Sequence, residues 1–230
     1  MKIAIIPARG GSKRIPRKNI KLFHGQEMIV YSIKTAIESG VFDKIIVSTD
    51  DEEIANIAKK YGAEVPFMRP PELSDDHTAT IPVIAHAIEN CGAEIDNIDA
   101  VCCIYATAPF VQVRYIKSAL EKLLEQNRDY VFSGTTFPFP IQRAMKIDKN
   151  ENISMFQPEH FNTRSQDLEE AYHDAGQFYW GTPEAWLKGT PIFSENSAIV
   201  ELPRYLVQDI DTLEDFKRAE LMYEVLMRDV

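Results

Sequence analysis

Short apolar runs alternate with apolar stripes at helical spacing along most of the chain, and this alternation limits the fold more than any other feature. Ile3–Ala8 is apolar throughout, as a strand buried on both faces should be. Ile29, Ile33, Ala36 and Ile37 then form a helical stripe that Gly40 ends. Lys44–Thr49 reads as a second strand. Asp51, Glu52 and Glu53 open a helix that Lys59 and Lys60 close and Gly62 terminates, with charges matching the helix dipole at both ends. Ala63–Phe67 reads as a third strand. Ile81, Ile84, Ala85 and Ile88 mark a helix, Val101–Tyr105 a strand, Ile116, Ala119, Leu120, Leu123 and Leu124 a helix, and Tyr130–Ser133 a strand. Strands alternating with helices predict an α/β fold, three layers (α/β/α) around a mostly parallel central sheet. At 230 residues the chain fits a single domain, 1–230.

The rhythm breaks at residues 136–175, which are rich in Pro, Phe, Gln and charge, with short candidate strands at Ala144–Ile147 and Asn152–Met155. Nothing there reads as a long helix, so the segment is expected to leave the main sheet as a hairpin arm or subdomain. Strands resume at Gln177–Trp180, Ala198–Val200 and Tyr205–Val207. A last helix carries Leu213, Phe216, Ala219, Tyr223 and Leu226 on one stripe.

Charge enters the argument because it is unevenly spread. The net charge is −10, yet residues 1–26 hold seven cations and no acid. The acidic body, with little aromatic interleaving in the basic segment, argues against a nucleic-acid partner. Three cysteines, Cys91, Cys102 and Cys103, show no metal spacing, and Cys102 and Cys103 sit in an apolar run as buried small hydrophobes. They fit a reducing compartment. No run approaches the ~20 apolar residues that span a bilayer, and no signal peptide is evident. The expectation is a cytoplasmic protein without a membrane partner. His24, His77, His86, His160 and His173 form no metal-binding pair.

The first strand leads into Arg9-Gly-Gly-Ser-Lys-Arg-Ile-Pro-Arg-Lys-Asn-Ile20. Ligands of open α/β sheets bind beyond the carboxyl ends of the strands. A loop there with Gly10 and Gly11 can turn backbone N–H groups toward an anion and take conformations closed to other residues. Six cations between positions 9 and 21 suit a triphosphate. The G-x-x-x-x-G-K-[ST] and G-x-G-x-x-G patterns are both absent, which disfavours a P-loop kinase or a dinucleotide enzyme. Near the other end, Gln208-Asp-Ile-Asp211 places two carboxylates two apart after an apolar run. On a strand they would share a face and suit Mg²⁺. The competing reading is helix capping, since Thr212-x-x-Asp215 resembles a capping box. Asp50, at a strand end, is open to a catalytic role or to capping the helix that follows.

Ile6-Pro-Ala-Arg-Gly-Gly-Ser-Lys-Arg-Ile-Pro-Arg-Lys-Asn-Ile20 closely resembles the signature of the cytidylyltransferases that act on sialic-acid-like sugars. Lys44–Asp50, Arg69-Pro70 and Gln208–Asp211 match that family's order and spacing. The resemblance covers nearly the whole chain and implies a fold of the nucleotide-diphospho-sugar transferase type. It implies that Arg9, Gly10, Gly11, Ser12, Lys13 and Lys18 hold the phosphates of CTP, with Asn19 near the ribose and α-phosphate. Arg69 and Ala79-Thr80 would read cytosine, and Asp209 and Asp211 would bind Mg²⁺. Arg9, Lys18 and Asp211 would carry the catalysis, with Asp211 nearest the nucleophile. The acceptor would be a nine-carbon α-keto-acid sugar, whose carboxylate suits an arginine. Arg164 matches the family's sugar-side arginine, and Arg143 is a second candidate. His173 and Gln177 also lie in the sugar-side run.

Sialic-acid enzymes usually carry Gln-Pro-Thr-Ser-Pro after the central strand, whereas this chain has Tyr105-Ala-Thr-Ala-Pro109. The run Gln157–Gly181 resembles the branch acting on pseudaminic acid. That less hydroxylated sugar would suit walls formed by Tyr105, Phe178 and Tyr179. Legionaminic acid, sialic acid and Kdo remain alternatives, as does a non-catalytic nucleotide-binding regulatory module. Family members are commonly dimers joined through the mid-chain segment. A homodimer through 136–175, with Phe137, Phe139 and Phe156 as anchors, is therefore expected.

Overall fold

The computed structural model describes residues 1–228. Its strands are β1 (Lys2–Pro7), β2 (Leu22–Phe23), β3 (Gln26–Glu27), β4 (Lys44–Ser48), β5 (Ala100–Ile104), β6 (Tyr130–Thr136), β7 (Met145–Ile147), β8 (Ile153–Met155), β9 (Tyr172–Gly181) and β10 (Ser197–Glu201). Its helices are α1 (Met28–Ser39), α2 (Glu52–Lys60), α3 (Thr80–Glu89), α4 (Val113–Glu125), α5 (Pro183–Lys188) and α6 (Leu213–Arg228). Six strands form the central sheet in the order β10-β6-β9-β5-β1-β4. β1 runs parallel to β4 and β5, and β6 parallel to β10, while β9 lies antiparallel between β5 and β6.

Side-chain alternation along these strands builds the three layers. Ala4, Ile6, Cys102, Ile104, Phe178 and Trp180 point to one face, where α1, α2 and α4 lay down Ile33, Ile54 and Ile116. Ile3, Ile5, Val101, Cys103 and Tyr179 point to the other, against Ile84 and Ile88 of α3 and Trp186 of α5. Both faces are covered, so the strands read as unbroken apolar runs. Cys91, Cys102 and Cys103 are all buried and unpaired by disulfide.

A third cluster matters most for the site. Ile15 from the basic loop, Phe23, Met28 and Phe110 pack with Ile210, Phe216 and Ala219. Burying Ile15 and Ile210 together draws the basic loop and the Asp-x-Asp segment to the same end of the sheet.

Several expected elements differ. Ala63–Phe67 is not a strand. Only Glu64 bridges to Ile46, and Pro66, which has no N–H to give, ends the pairing. Tyr205–Val207 is not a strand either. Pro203 starts a 3-10 turn, Arg204–Leu206, and the run is apolar because Leu206 is buried. Asp209 and Asp211 therefore sit on an irregular segment, and a shared strand face does not bring them together. Gln177–Trp180 belongs to a ten-residue antiparallel strand whose first half holds no apolar alternation. Phe178 is core and Tyr179 is 2% exposed, so neither is a free wall.

The excursion is shorter than the expected 136–175: residues 137–171 leave the sheet, while Thr136 ends β6 and residues 172–175 already belong to β9, with Thr136 paired to Tyr172. β7 and β8 pair as a separate two-stranded hairpin, with Met145, Ile147 and Ile153 all exposed.

Candidate active site

A cleft with about 220 Å³ of free space opens beyond the carboxyl ends of β1 and β5. Arg9, Ser12, Lys13, Lys18 and Asn19 line it from the loop after β1. Arg69, Ala79, Thr80 and Tyr105 line the side toward α3, and Asp211 faces in from the segment before α6.

The loop and the Asp-x-Asp segment meet through cations. Lys18 Nζ donates to the Ile210 carbonyl (2.6 Å) and lies 3.5 Å from Asp211 Oδ1. Arg14 Nη2 reaches the same carboxylate oxygen at 2.8 Å. Arg14 was counted only among the loop's cations, yet the structure makes it a cleft residue. On the opposite wall, Arg9 (2.8 Å) and Lys13 both pair with Asp76. Nothing in the sequence places the 75–78 turn near the basic loop.

Not every cation of the basic segment serves the cleft. Arg17, held at φ 57°, turns its guanidinium to Asp51 Oδ1 (3.0 Å) and Glu53 (2.5 Å). Lys21 lies over the Phe216 ring. Of the six cations from 9 to 21, four line the cleft. The two glycines also work differently from expectation, since neither has positive φ. Gly10 is required for closeness: a Cβ there would stand 2.7 Å from Asp51 Oδ2. The Gly10 N–H is taken by Asp50 Oδ1 at 2.9 Å, so it does not turn to an anion, and Gly11 has open space around it.

Helix capping is settled in detail. Asp51, not Asp50, caps α2 by accepting from Ile54 N–H at 3.0 Å. The hydrogen bonds from Arg17 hold the Asp51 carboxyl below the usual carboxylate range. At α6 the capping box forms, with Asp215 accepting from Thr212 N–H (2.8 Å) and Thr212 Oγ1 accepting from Asp215 N–H (3.2 Å). The capping falls to Asp215 and Thr212, so the carboxylates of Asp209 and Asp211 are not engaged in it.

Asp209 titrates high because its crowded turn desolvates it and because Asp211 adds a like charge. A carboxylate with a like-charged neighbour on the same turn fits a hard cation. Among the described residues, no group of three or more His, Cys, Asp or Glu side chains could hold a metal. The remaining ligands would have to be water and phosphate, as Mg²⁺ prefers.

Asn19, 7% exposed, donates from Nδ2 to the Arg9 carbonyl at 2.8 Å and so braces the loop. Burial pushes the Tyr105 phenol up to about 12, and its hydroxyl lies 3.1 Å from Thr80 Oγ1. The other sugar-side candidates lie outside this cleft. Gln177 is buried, and its Nε2 holds the Leu206 carbonyl at 2.5 Å, which makes it a strut behind the Asp-x-Asp segment. His173 Nδ1 lies 2.8 Å from the Asp174 carbonyl, and its ring rests on Phe137. Arg143 reaches Ser165 (3.4 Å) and Arg164 pairs with Asp167 (2.7 Å), both exposed on the excursion.

Residues 3–225 match the family model described as Cytidylyltransferase. The chain belongs to the cytidylyltransferase family. This cytidylyltransferase is 48% identical over 223 residues to a pseudaminic acid cytidylyltransferase of Campylobacter jejuni, covering 97% of this chain and 96% of the relative. It is 35% identical to the N-acylneuraminate cytidylyltransferase B of Danio rerio, over 94% of this chain and 50% of that protein. A solved CMP:2-keto-3-deoxy-manno-octonic acid synthetase complexed with CTP superposes with a TM-score of 0.70 at 13% identity, over 100% of this chain and 99% of that one. That likeness supports the three-layer fold. Among the described residues of the cytidylyltransferase, no helix is long and apolar enough to cross a membrane.

Proposed function

We propose that this cytidylyltransferase activates a nonulosonic acid, pseudaminic acid first among them, with CTP to give the CMP-sugar and pyrophosphate. One observation carries the chemistry: Lys18 ties the basic loop to Ile210 and Asp211, so phosphate-binding cations and the Asp211 carboxylate face one cleft. The choice of sugar is supported by the 48% identity to the Campylobacter jejuni enzyme over nearly the full length of both chains.

In this reading the anomeric hydroxyl attacks the α-phosphorus. A new oxygen–phosphorus bond forms as the bond to the bridging β-oxygen breaks, the hydroxyl gives up its proton to solvent, and pyrophosphate leaves. Such a transfer needs mainly positioning and charge neutralisation. Arg9, Lys13 and Lys18 neutralise the phosphates, whose oxygens take the place that Asp76 holds on Arg9 and Lys13. Ser12 and Asn19 flank them, Arg69 with Ala79-Thr80 reads the base, and Asp211 stands nearest the nucleophile. Asp209 and Asp211 would hold Mg²⁺, which supplies charge neutralisation and a lowered hydroxyl pKa.

Tyr105, whose phenol stays protonated, offers a hydroxyl and a ring edge to the sugar. Arg143 and Arg164 lie on an excursion whose hairpin leaves Ile147 and Ile153 bare, which supports pairing of two copies through that arm. In the homodimer these arginines and His173 would serve the sugar side. The proposed setting is the cytoplasm, where CTP is at hand.

Parallel assays with CTP and pseudaminic, legionaminic, sialic or Kdo acceptors, following pyrophosphate release, test the assignment. Pseudaminic acid should turn over best. Equal turnover on sialic acid would overturn the sugar assignment. CTP binding with no pyrophosphate from any acceptor would favour a regulatory module.

A further inference from the structure

Asp50 lies two residues beyond the end of β4, beside both the loop after β1 and Arg69. Its Oδ1 accepts the Gly10 N–H at 2.9 Å, on the phosphate side. The same oxygen lies 3.9 Å from Arg69 Nη2, on the base side. Arg69 is a costly residue to place here. It is 6% exposed, and its Nε and Nη2 find no hydrogen-bond partner. Desolvation pulls its pKa down, Asp50 opposes that, and Arg9 adds like-charge repulsion. The only carboxylate paired with this guanidinium among the described residues is Asp50. The Arg69 main chain is pinned to the same place, since its N–H donates to the Thr49 carbonyl at 2.8 Å.

The phosphate loop is pressed against the same two aspartates. Gly10 approaches Asp51 so closely that no side chain fits between them. Asp51 is already committed to Arg17 and to capping α2. The division of labour between neighbours is therefore clear: Asp51 anchors the loop through Arg17, and Asp50 holds the Gly10 N–H beside Arg69.

The geometry points to Asp50 as a positioning residue that couples the two halves of the nucleotide site, fixing the phosphate loop through Gly10 and aiming the unpartnered donors of Arg69 at the base. This rests on the proposed roles of the loop and of Arg69 in holding CTP. Cytosine presents O2 and N3 as adjacent acceptors, whereas uracil carries a proton at N3. An arginine held with its donors toward that edge accepts cytosine and opposes uracil. Asp50 itself touches no reacting atom in this account. Its effect is on affinity and on the choice of base, through Arg69 and the loop.

Two substitutions separate its two contacts. Asp50→Asn keeps an oxygen for the Gly10 N–H but removes the countercharge of Arg69, while Asp50→Ala removes both. Calorimetric titrations with CTP, UTP and inorganic tripolyphosphate, on the full chain with Mg²⁺, read each half separately. For Asp50→Asn, tripolyphosphate affinity should stay within about twofold of wild type, while CTP affinity falls about tenfold and the preference for CTP over UTP shrinks. For Asp50→Ala, tripolyphosphate affinity should fall as well. Asp50→Glu, which keeps the charge, should recover more of the CTP preference than Asn does, and it carries the test together with Asn if the Ala variant does not fold. An Asn variant with undiminished preference for CTP, or a folded Ala variant with undiminished tripolyphosphate affinity, would overturn the coupling. Failure of the wild type to bind tripolyphosphate or to prefer CTP would instead remove the underlying reading of the loop and Arg69.

Discussion

Lys18 is the side chain whose loss should separate catalysis from folding most clearly. Its side chain is 20% exposed, and its ammonium joins the loop to the Ile210 carbonyl at 2.6 Å, with Asp211 Oδ1 at 3.5 Å. Lys18→Met keeps the aliphatic stem and removes the charge. A hydrogen bond from a charged donor contributes about 1.5–3 kcal/mol when removed from a buried site. Partial exposure of this one brings the expected folding loss to about 1–2 kcal/mol. In a chain of this size each kcal/mol lowers Tm by about 2–4 °C, so a fall of roughly 2–8 °C should appear in a thermal scan. A domain with about 5–15 kcal/mol of stability stays folded at 25 °C after such a loss. Catalysis should suffer far more. Removing one preorganised donor from developing charge costs about 10²–10³ in kcat. The assay is pyrophosphate release at saturating CTP and sugar, beside the thermal scan of the same sample. A Tm drop in this range with kcat within about threefold of wild type would refute the reasoning and leave Lys18 as a strap between two segments.

Three further outcomes are expected. Gly181→Ala would place a Cβ 2.6 Å from both Trp186 Nε1 and Tyr130 Cε1, two fully buried rings. Overpacking there should cost at least about 2 kcal/mol, read as a lower midpoint in urea, and an unchanged midpoint would contradict the close packing. Asp51→Asn should destabilise the protein near neutral pH. Because the Asp51 pKa is depressed on folding, its contribution is present above the unfolded value of 3.8 and disappears as pH falls through the lower folded value. The gap between wild type and variant in denaturant melts should therefore close in acid, and a gap independent of pH would exclude the Arg17–Asp51 pair as its source. Light scattering should give the wild type twice the 26.2 kDa chain mass, with Ile147→Glu/Ile153→Glu shifting it toward the monomer. A monomeric wild type would remove the proposed arm-to-arm pairing.

The sheet and helices were legible in the sequence wherever an element buries a continuous face. Ile3–Ala8 and the stripe at Ile116, Ala119, Leu120 and Leu123 report their surroundings directly, because burial is recorded in side-chain type. Tyr205–Val207 looked like a strand for the same reason. Burial of Leu206 leaves the same mark whether the backbone is extended or turned, and Pro203 decided the turn. The site was legible as residue types but not as partnerships. The contact of Arg9 and Lys13 with Asp76, the diversion of Arg17 to Asp51 and Glu53, and the use of Asp50 on Gly10 depend on how loops fold back. No local periodicity encodes such returns. The glycines show the limit well: Gly10 was read as a source of unusual φ, and the structure uses its missing side chain instead.

The joint packing of Ile15 with Ile210 has a consequence for the order of assembly. Arg14 and Asp211 are 197 positions apart, so the cleft is closed by contacts of very high sequence separation. Synthesis proceeds from the amino end, and the cation-rich loop emerges long before the carboxylates that meet it. During that interval Arg14 and Lys18 lack the Asp211 carboxylate, and the loop's excess positive charge is more exposed than in the finished protein. The growing chain is then a better ligand for polyanions than the completed enzyme, and the docking of α6 is the event that changes a generic cationic segment into a selective one.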